Sequence, residues 1–457
     1  MSESTLAEAP SAARPGEAVE THGEGDAPTG APPEPSAVPE PDPVSASDEP
    51  APAPVLMAPV RAGERIEFID VLRGVALCGI LTANMRGHNA PAAIYGNNAL
   101  LFPGFGDRLA QALIDIFVSG KFITLFACLF GLGFAVQMTR ADARGVKASS
   151  FYPRRLLALL AFGVIHGALI WWGDILVAYS VMGFILLAFH KRSNATVLKW
   201  AAGVWAGVLV LLLTAVVAMS VLPPETPSPN PRRSQAELQR VVEVYQSGSP
   251  AAIVSENVQA WLIYLSKDMS VLMFLPIFLF GLWVWRKGIV QDLAGHRELL
   301  ARVCRVALPL GLLLEALARH ADLFYLARNP RDPVWLPATV FGFYGTPVLS
   351  LGYASGLALL MLRPGWPQRL KPFAAVGRMA LTNYLMQSVL CLLLFVGTGF
   401  YGKVGPLLGL VPTVLLYAAQ VVFSNWWLAR HKYGPMEYVW RVATYGRARA
   451  DAAAAAA

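Results

Sequence analysis

Residues 65–84, RIEFIDVLRGVALCGILTAN, indicate the fold class of the whole chain. The stretch is apolar enough to enter a bilayer, yet it carries Asp70 and Arg73 three positions apart, which places both charges on one helix face. An ionisable side chain at mid-membrane costs roughly 2.5–3.5 kcal/mol on insertion scales, so such residues face a partner, a cavity or the headgroups. The spacing predicts either a structural ion pair at the mouth of a first membrane helix or part of a substrate site.

The composition extends this interpretation to most of the chain. Apolar residues make up 55% of the sequence and charged residues 15%, which is typical of an all-α polytopic integral membrane protein. Residues 1–60 differ, since they are rich in Pro, Ala, Glu and Ser and hold eleven acidic residues against one basic residue. We expect this tail to be disordered because it has too little apolar surface to offset the entropy of ordering.

Ten apolar runs approach the length of about 20 residues that a spanning helix needs. Basic residues concentrate in alternate connections between these runs, so the positive-inside rule predicts that both termini lie in the cytoplasm. The expected parts are a membrane half of five helices at 61–222, an outer loop with an amphipathic helix at 223–267, a second membrane half at 268–449 and an Ala-rich frayed end at 450–457. The predicted spans are 67–86, 116–138, 153–172, 174–190, 197–222, 268–286, 303–320, 337–362, 376–399 and 405–428.

The distribution of basic residues and cysteines argues against a nucleic-acid partner, a metal site and a disulfide framework. The excess of basic residues after residue 60 belongs to loops and predicts topology, with no nucleic-acid partner. Cys78, Cys128, Cys304 and Cys391 are isolated from one another, which predicts neither a metal site nor a disulfide framework. We expect no bound cofactor.

One polar cluster inside the apolar runs has the residues of a general base. His166 lies in LLAFGVIHGALIWWGDIL, and Asp174 follows eight positions later, beyond the predicted hairpin between the third and fourth spans. Histidine can accept a proton near neutral pH, as acyl transfer to a hydroxyl or amine requires, and Asp174 could orient it. A hydrogen-bonded packing role is the alternative for a histidine in a helix.

Other polar residues are candidates for a substrate path, with helix packing as the alternative. Asn84 ends the first run, and Lys121 is predicted near the outer end of the second, where it could reach the headgroups or an anionic substrate. The segment GRMALTNYLMQS, residues 377–388, contributes a polar stripe that hydrogen bonds to neighbouring helices would equally explain. Its candidate residues are Arg378, Thr382, Asn383 and Gln387.

Several motifs together resemble a known family. RIEFIDVLRGVAL, GKFITLFACLFGLGF, IHGALIWWGDILVAYSVMGF, GRMALTNYLMQS and KYGPMEYVWRVATYG are similar to segments of the YeiB-type bacterial membrane proteins, which are defined by domain of unknown function 418. The opening motif is also similar to that of the heparan-glucosaminide N-acetyltransferases. This resemblance implies distant kinship with transmembrane acyltransferases, and it places the domain of unknown function in residues 268–449.

Two classes of function follow. The leading hypothesis is a membrane-bound acyltransferase that takes an acyl group from a cytosolic acyl-CoA, bound near Arg73 and Arg378, to an acceptor at the outer face. The acceptor would be a small molecule, a lipid or a glycan, and His166 would be the base. The alternative is a transporter or exporter of a small metabolite. A non-catalytic membrane scaffold is a third hypothesis. The sequence predicts no particular oligomeric state.

Overall fold

The computed structural model describes residues 66–92, 101–221, 231–267, 271–325 and 335–447. These residues form fifteen α-helices and a short 3₁₀ turn at Ala148–Ser150, and no strand occurs among them. An apolar chain in lipid satisfies its backbone polar groups within helices, which explains this uniform architecture. The predicted tail at 1–60 and the Ala-rich end at 450–457 lie outside the described residues.

The helices follow one another with short connections. In chain order they are α1 (Glu67–Asn89), α2 (Phe105–Phe117), α3 (Lys121–Ala143), α4 (Tyr152–Leu169), α5 (Leu176–Leu187), α6 (Asn194–Val221), α7 (Pro231–Gln246), α8 (Pro250–Lys267), α9 (Val271–Arg286), α10 (Arg297–Tyr325), α11 (Trp335–Met361), α12 (Trp366–Arg378), α13 (Ala380–Phe395), α14 (Pro406–Leu428) and α15 (Pro435–Tyr445).

Five segments of the described chain are long and apolar enough to cross a membrane. A sixth is the pair α12 and α13, if these two helices, bent by 75° at Met379, form one broken span. The number is smaller than the ten predicted runs, although each of those runs contains helix in the structure. The five segments are Glu67–Asn89, Phe105–Ala143, Asn194–Ala218, Thr339–Met361 and Pro406–Leu428.

The other predicted runs differ from ordinary spans for identifiable reasons. Helix α5 has only 12 residues and α9 has 16, fewer than the roughly 20 that cross a bilayer without help from neighbours. Helix α10 has 29 residues, but it is amphipathic and carries Glu315 and Arg319 in its second half. Length and average hydropathy therefore do not by themselves define ten spans.

Close backbone contacts at glycines hold three helix pairs together. Gly74 of α1 lies against the carbonyl of Phe373 in α12, and Gly377 lies against the carbonyl of Asp70, so a Cβ at either glycine would overlap the other helix. Gly131 and Gly281 make the same reciprocal contact between α3 and α9. In the third pair, Gly311 of α10 lies against the Leu349 backbone, and Gly352 of α11 lies against Leu308. Small residues at such crossings are typical of helix packing in lipid.

A buried charge network joins α3, α10 and α11. The Lys121 ammonium is 2.8 Å from the Glu315 carboxylate and donates to the Asp115 carbonyl at 2.6 Å. Glu315 also accepts from the Thr346 hydroxyl at 2.7 Å. The Lys121 side chain is thus 1% exposed, and its acidic partner on α10 offsets the cost of burying the charge.

The α1–α12 crossing should contribute measurably to the stability of the fold. We expect Gly377→Ala to lower the melting temperature of the purified protein in detergent, because the added methyl group forces the two backbones apart at a cost of about 1–3 kcal/mol. Gly207→Ala on α6 is the matched control, since a Cβ there meets nothing within 4 Å and alanine favours the helix. Equal melting temperatures for the two variants would contradict the proposed role of the crossing.

Candidate functional site

The hairpin of α4 and α5 builds the centre of the candidate site. His166 lies in the last turn of α4 and Asp174 in the connection to α5, and both side chains are fully buried. Asp174 Oδ2 is 2.8 Å from His166 Nδ1, while Oδ1 accepts a hydrogen bond of 3.0 Å from the backbone N–H of Val177. The first turn of α5 therefore fixes the carboxylate that orients the imidazole.

A third residue completes the arrangement from a distant part of the chain. Ser388 of α13 has its hydroxyl 2.9 Å from His166 Nε2. When the Asp174 carboxylate accepts a hydrogen bond from Nδ1–H, the lone pair on His166 Nε2 accepts a hydrogen bond from the Ser388 hydroxyl. Asp174, His166 and Ser388, here called the buried triad, thus have the order carboxylate, imidazole, hydroxyl that activates a nucleophile or moves a proton in acyl transfer.

Aromatic rings enclose the buried triad. The Tyr384 ring of α13 is 5.1 Å from the His166 ring between centroids, and the Trp171 ring is 6.2 Å away. Trp171 also packs on His88 at 4.1 Å and donates from Nε1 to the Gly87 carbonyl at 2.9 Å, which ties the hairpin to the end of α1. His88, a histidine with no role predicted from the sequence, is thereby part of the wall behind Trp171.

A first cavity, of about 220 Å³, lies on the Tyr384 side. We call it the arginine cavity because four guanidinium groups line it, from Arg73, Arg155, Arg378 and Arg441. Arg73 pairs with Asp70 at 3.2 Å. The other lining groups include Glu437, Trp440 and Tyr384. Four arginines in one cavity favour a ligand with several negative charges, such as phosphate groups.

The break between α12 and α13 forms part of this cavity, and Glu437 of α15 caps it. One carboxylate oxygen of Glu437 accepts from the backbone N–H groups of Leu381 and Thr382, at 2.7 and 3.1 Å. The other oxygen accepts from the Thr382 hydroxyl at 2.6 Å. Burial raises the pKa of the Glu437 carboxyl, and the hydrogen bonds from Thr382 and Leu381 oppose that shift. Through these contacts the C-terminal helix holds α13, and hence Tyr384 and Ser388, in place.

A second cavity, of about 760 Å³, lies on the Trp171 side. We call it the aromatic cavity, since it is lined by Trp171, Trp172, Tyr245, Tyr264 and Tyr401. Asn84, Arg86, Glu237, Arg240 and Glu256 add polar groups to the same wall. Its volume and its mixture of apolar rings with a few polar side chains are typical of a small-molecule site.

The two cavities lie at opposite ends of the same helices. Helix α1 contributes Arg73 to the arginine cavity and Asn84 to the aromatic cavity, eleven positions or roughly 16 Å apart. Ile80 and Ile175 border both cavities. Because Ile175 follows Asp174 directly, the buried triad lies beside the thin wall that separates them.

The remaining predicted residues lie in helix contacts. Asn383 donates to the Val376 carbonyl and to Ser424, at 3.1 and 3.0 Å. Gln387 donates to Gln420 at 2.9 Å. Neither side chain is among those that line the two cavities, and Lys121 is likewise bound to Glu315. In the structure these side chains join neighbouring helices, and their part in a substrate path stays a prediction.

Five residues of the site were not identified as candidates from the sequence: Arg155, Tyr384, Ser388, Glu437 and Arg441. The guanidinium group of Arg155 lies over the Trp440 ring, 3.5 Å from its centroid. Tyr384 and Ser388 are four positions apart on α13 and share its buried face with the polar stripe. That spacing was the signal that could have revealed them.

The structure describes no group of three or more His, Cys, Asp or Glu side chains that could hold a metal ion. The buried triad itself offers an imidazole, a carboxylate and a hydroxyl group. These groups can hold and move a proton between His166 and a hydroxyl.

Long apolar helices, internally paired charges and buried polar contacts together define a helical membrane protein. The family model for "Protein of unknown function (DUF418)" matches residues 284–447, and the chain belongs to this YeiB-type DUF418 family. The matched segment includes Ser388 and Glu437, whereas His166 and Asp174 precede it.

Full-length relatives extend the similarity beyond that segment. The chain is 32% identical to the protein YxaH of Bacillus subtilis (strain 168) over 407 residues, which is 85% of this chain and 96% of the relative. It is 29% identical to YeiB of Escherichia coli (strain K12) over 395 residues, 83% and 96% of the two chains. A protein encoded in the amylase 3′ region of Bacillus acidopullulyticus is 28% identical over 399 residues, 86% and 97% of the two chains. None of these names states an activity.

Proposed function

We propose that this protein transfers an acyl group from a thioester donor such as acyl-CoA to a hydroxyl- or amine-bearing acceptor across a bacterial inner membrane. The observation that carries the proposal is the hydrogen-bonded chain Asp174–His166–Ser388, buried between two cavities of different chemical character. An imidazole oriented by a carboxylate is a general base matched to neutral pH.

The arginine cavity suits the donor. Phosphate groups of an acyl-CoA would pair with guanidinium groups there, and the thioester end would extend towards Tyr384, which borders both the cavity and His166. The aromatic cavity suits the acceptor, since its rings and polar groups could bind a small molecule, a glycan or a lipid headgroup. His166 would take the proton released at the attacking atom, and Asp174 would stabilise the resulting imidazolium.

The proposed orientation puts the arginine cavity on the cytoplasmic side. Arg140, Arg144, Lys147 and Arg154 lie in or beside the α3–α4 connection, which adjoins the arginine cavity through Arg155. With the ten spans predicted from the sequence, the positive-inside rule places this connection and both chain termini in the cytoplasm. Short or charged helices such as α5 and α10 would then cross the membrane with neighbouring helices around them.

The orientation can be tested by labelling single cysteines. In a variant without the four native cysteines, we expect Ser249→Cys, between α7 and α8, to react with a membrane-impermeant maleimide in intact spheroplasts. Lys147→Cys should react only after lysis, because both positions are exposed but lie on opposite sides. Labelling of Lys147→Cys in intact spheroplasts, or protection of Ser249→Cys, would contradict the proposed orientation.

A transporter is the second candidate, since two cavities that approach each other from opposite ends of α1 also suit alternating access, and α12–α13 is a broken helix of the kind found in transporters. The two functions differ in their product. A transporter moves an unmodified solute into vesicles, whereas the proposed enzyme attaches labelled acyl groups covalently to an acceptor.

Acyl transfer should depend on His166. In nanodiscs with labelled acetyl-CoA and native membrane extract as acceptor, we expect His166→Ala to lower acyl transfer about 10²-fold or more, since it removes the general base. Asp174→Asn should also lower the rate and change its pH profile, because the imidazole would lose the carboxylate that selects its tautomer.

The matched control is His431→Ala, an exposed histidine just after α14 that stacks on the Trp427 ring. It should transfer acyl groups at the wild-type rate. A folded His166→Ala protein with unchanged transfer would contradict the assigned base. No transfer by the wild type from donors of several chain lengths, together with solute uptake, would favour the transporter.

A further inference from the structure

Ser388 differs from buried helical hydroxyl groups such as those of Ser355 and Thr413 in its hydrogen-bond partner. Ser355 donates to the Leu351 carbonyl at 2.7 Å and Thr413 donates to the Gly409 carbonyl at 2.8 Å, each one turn back on its own helix. That bond is the usual way in which a helical serine or threonine is satisfied away from water. Ser388 instead is 2.9 Å from an imidazole nitrogen on another helix.

Ser388 also lies next to both routes by which substrates could arrive. Tyr384, one turn earlier on α13, lines the arginine cavity and contacts the His166 ring. The cavity thus ends roughly 6 Å along the helix axis from Ser388. On the other side, the Trp171 ring lies between His166 and the aromatic cavity. Rotation of either ring would connect one cavity to the buried triad while the other ring keeps the opposite cavity closed.

We propose that Ser388 is the nucleophile that carries the acyl group as a serine ester between donor and acceptor. This inference rests on the proposed function and deepens it, because it replaces direct transfer by two half-reactions. A covalent carrier allows the donor to leave before the acceptor binds, which suits two cavities that each end at a separate aromatic ring.

The first half-reaction conserves atoms and charge. His166 Nε2 takes the proton of the Ser388 hydroxyl as Oγ attacks the thioester carbonyl, so a C–O bond forms and the C–S bond breaks. The departing thiolate takes the proton from the His166 imidazolium and leaves as a free thiol. Asp174 remains ionised throughout and stabilises the imidazolium.

The second half-reaction returns the site to its starting state. An acceptor hydroxyl or amine loses its proton to His166 as it attacks the ester carbonyl. The bond between the acyl carbon and Ser388 Oγ breaks, and Oγ regains the proton from His166. Ser388 is 1% exposed, so the closed site shields the ester from hydrolysis until an acceptor enters.

The test is to trap the ester on the full-length protein. Protein in nanodiscs is mixed with [¹⁴C]acetyl-CoA without acceptor, denatured and analysed for protein-bound label and for the modified peptide by mass spectrometry. We expect up to one acetyl group per chain, on Ser388 and stable to neutral hydroxylamine. Ser388→Ala should carry no label and lose transfer about 10²-fold or more, whereas Ser355→Ala, the matched control, should behave as the wild type.

Ser388→Cys provides a second measurement that does not depend on the folding of the alanine variant. We expect its label to become sensitive to neutral hydroxylamine, because a thioester replaces the ester. Transfer that needs His166 but persists in Ser388→Ala, with no label on the wild-type protein during turnover, would overturn the covalent role and leave the proposed acyl transfer intact. An absence of both protein label and product with the wild type would overturn the proposed function itself.

Discussion

The close crossing of α1 and α12 is the constraint on which the candidate site depends. Gly74 and Gly377 let the two backbones touch, and the contact places the Asp70–Arg73 pair beside Arg378 at the start of the bend into α13. Tyr417 of α14 reinforces the crossing by donating to the Gly74 carbonyl at 2.8 Å. Helix α13 then departs at 75° to α12 and carries Tyr384 and Ser388 towards His166.

Pairing of polar groups within the bundle supports this geometry. In an apolar surrounding an unpaired polar group costs several kcal/mol, which favours hydrogen bonds between buried polar side chains and neighbouring helices. Asn383 and Gln387 join α13 to α1, α12 and α14, and Glu437 caps the first turn of α13. The buried triad differs from these contacts because its groups form a path along which a proton can move, from a hydroxyl through an imidazole stabilised by a carboxylate.

The sequence predicted the helical architecture and part of the site. Long apolar runs identify helices such as α1 and α14 directly, whereas α5 is too short and α10 too charged for composition to define their relation to the membrane. His166 and Asp174 were predicted because a histidine inside an apolar run with an aspartate eight positions later has the residues of a general base. The contact between His166 and Ser388 joins positions 222 residues apart, and no periodic pattern encodes it. The contact appears only in the folded chain, where α13 meets the end of α4.

The most direct measurement is a cryo-electron microscopy structure of the protein in nanodiscs with a non-hydrolysable acyl-CoA analogue. We expect the phosphate groups to lie among Arg73, Arg155, Arg378 and Arg441, with the acyl end at Tyr384 and directed towards Ser388 and His166. Binding of the analogue in the aromatic cavity, or an acyl end far from the buried triad, would contradict the assignment of this triad as the centre of acyl transfer.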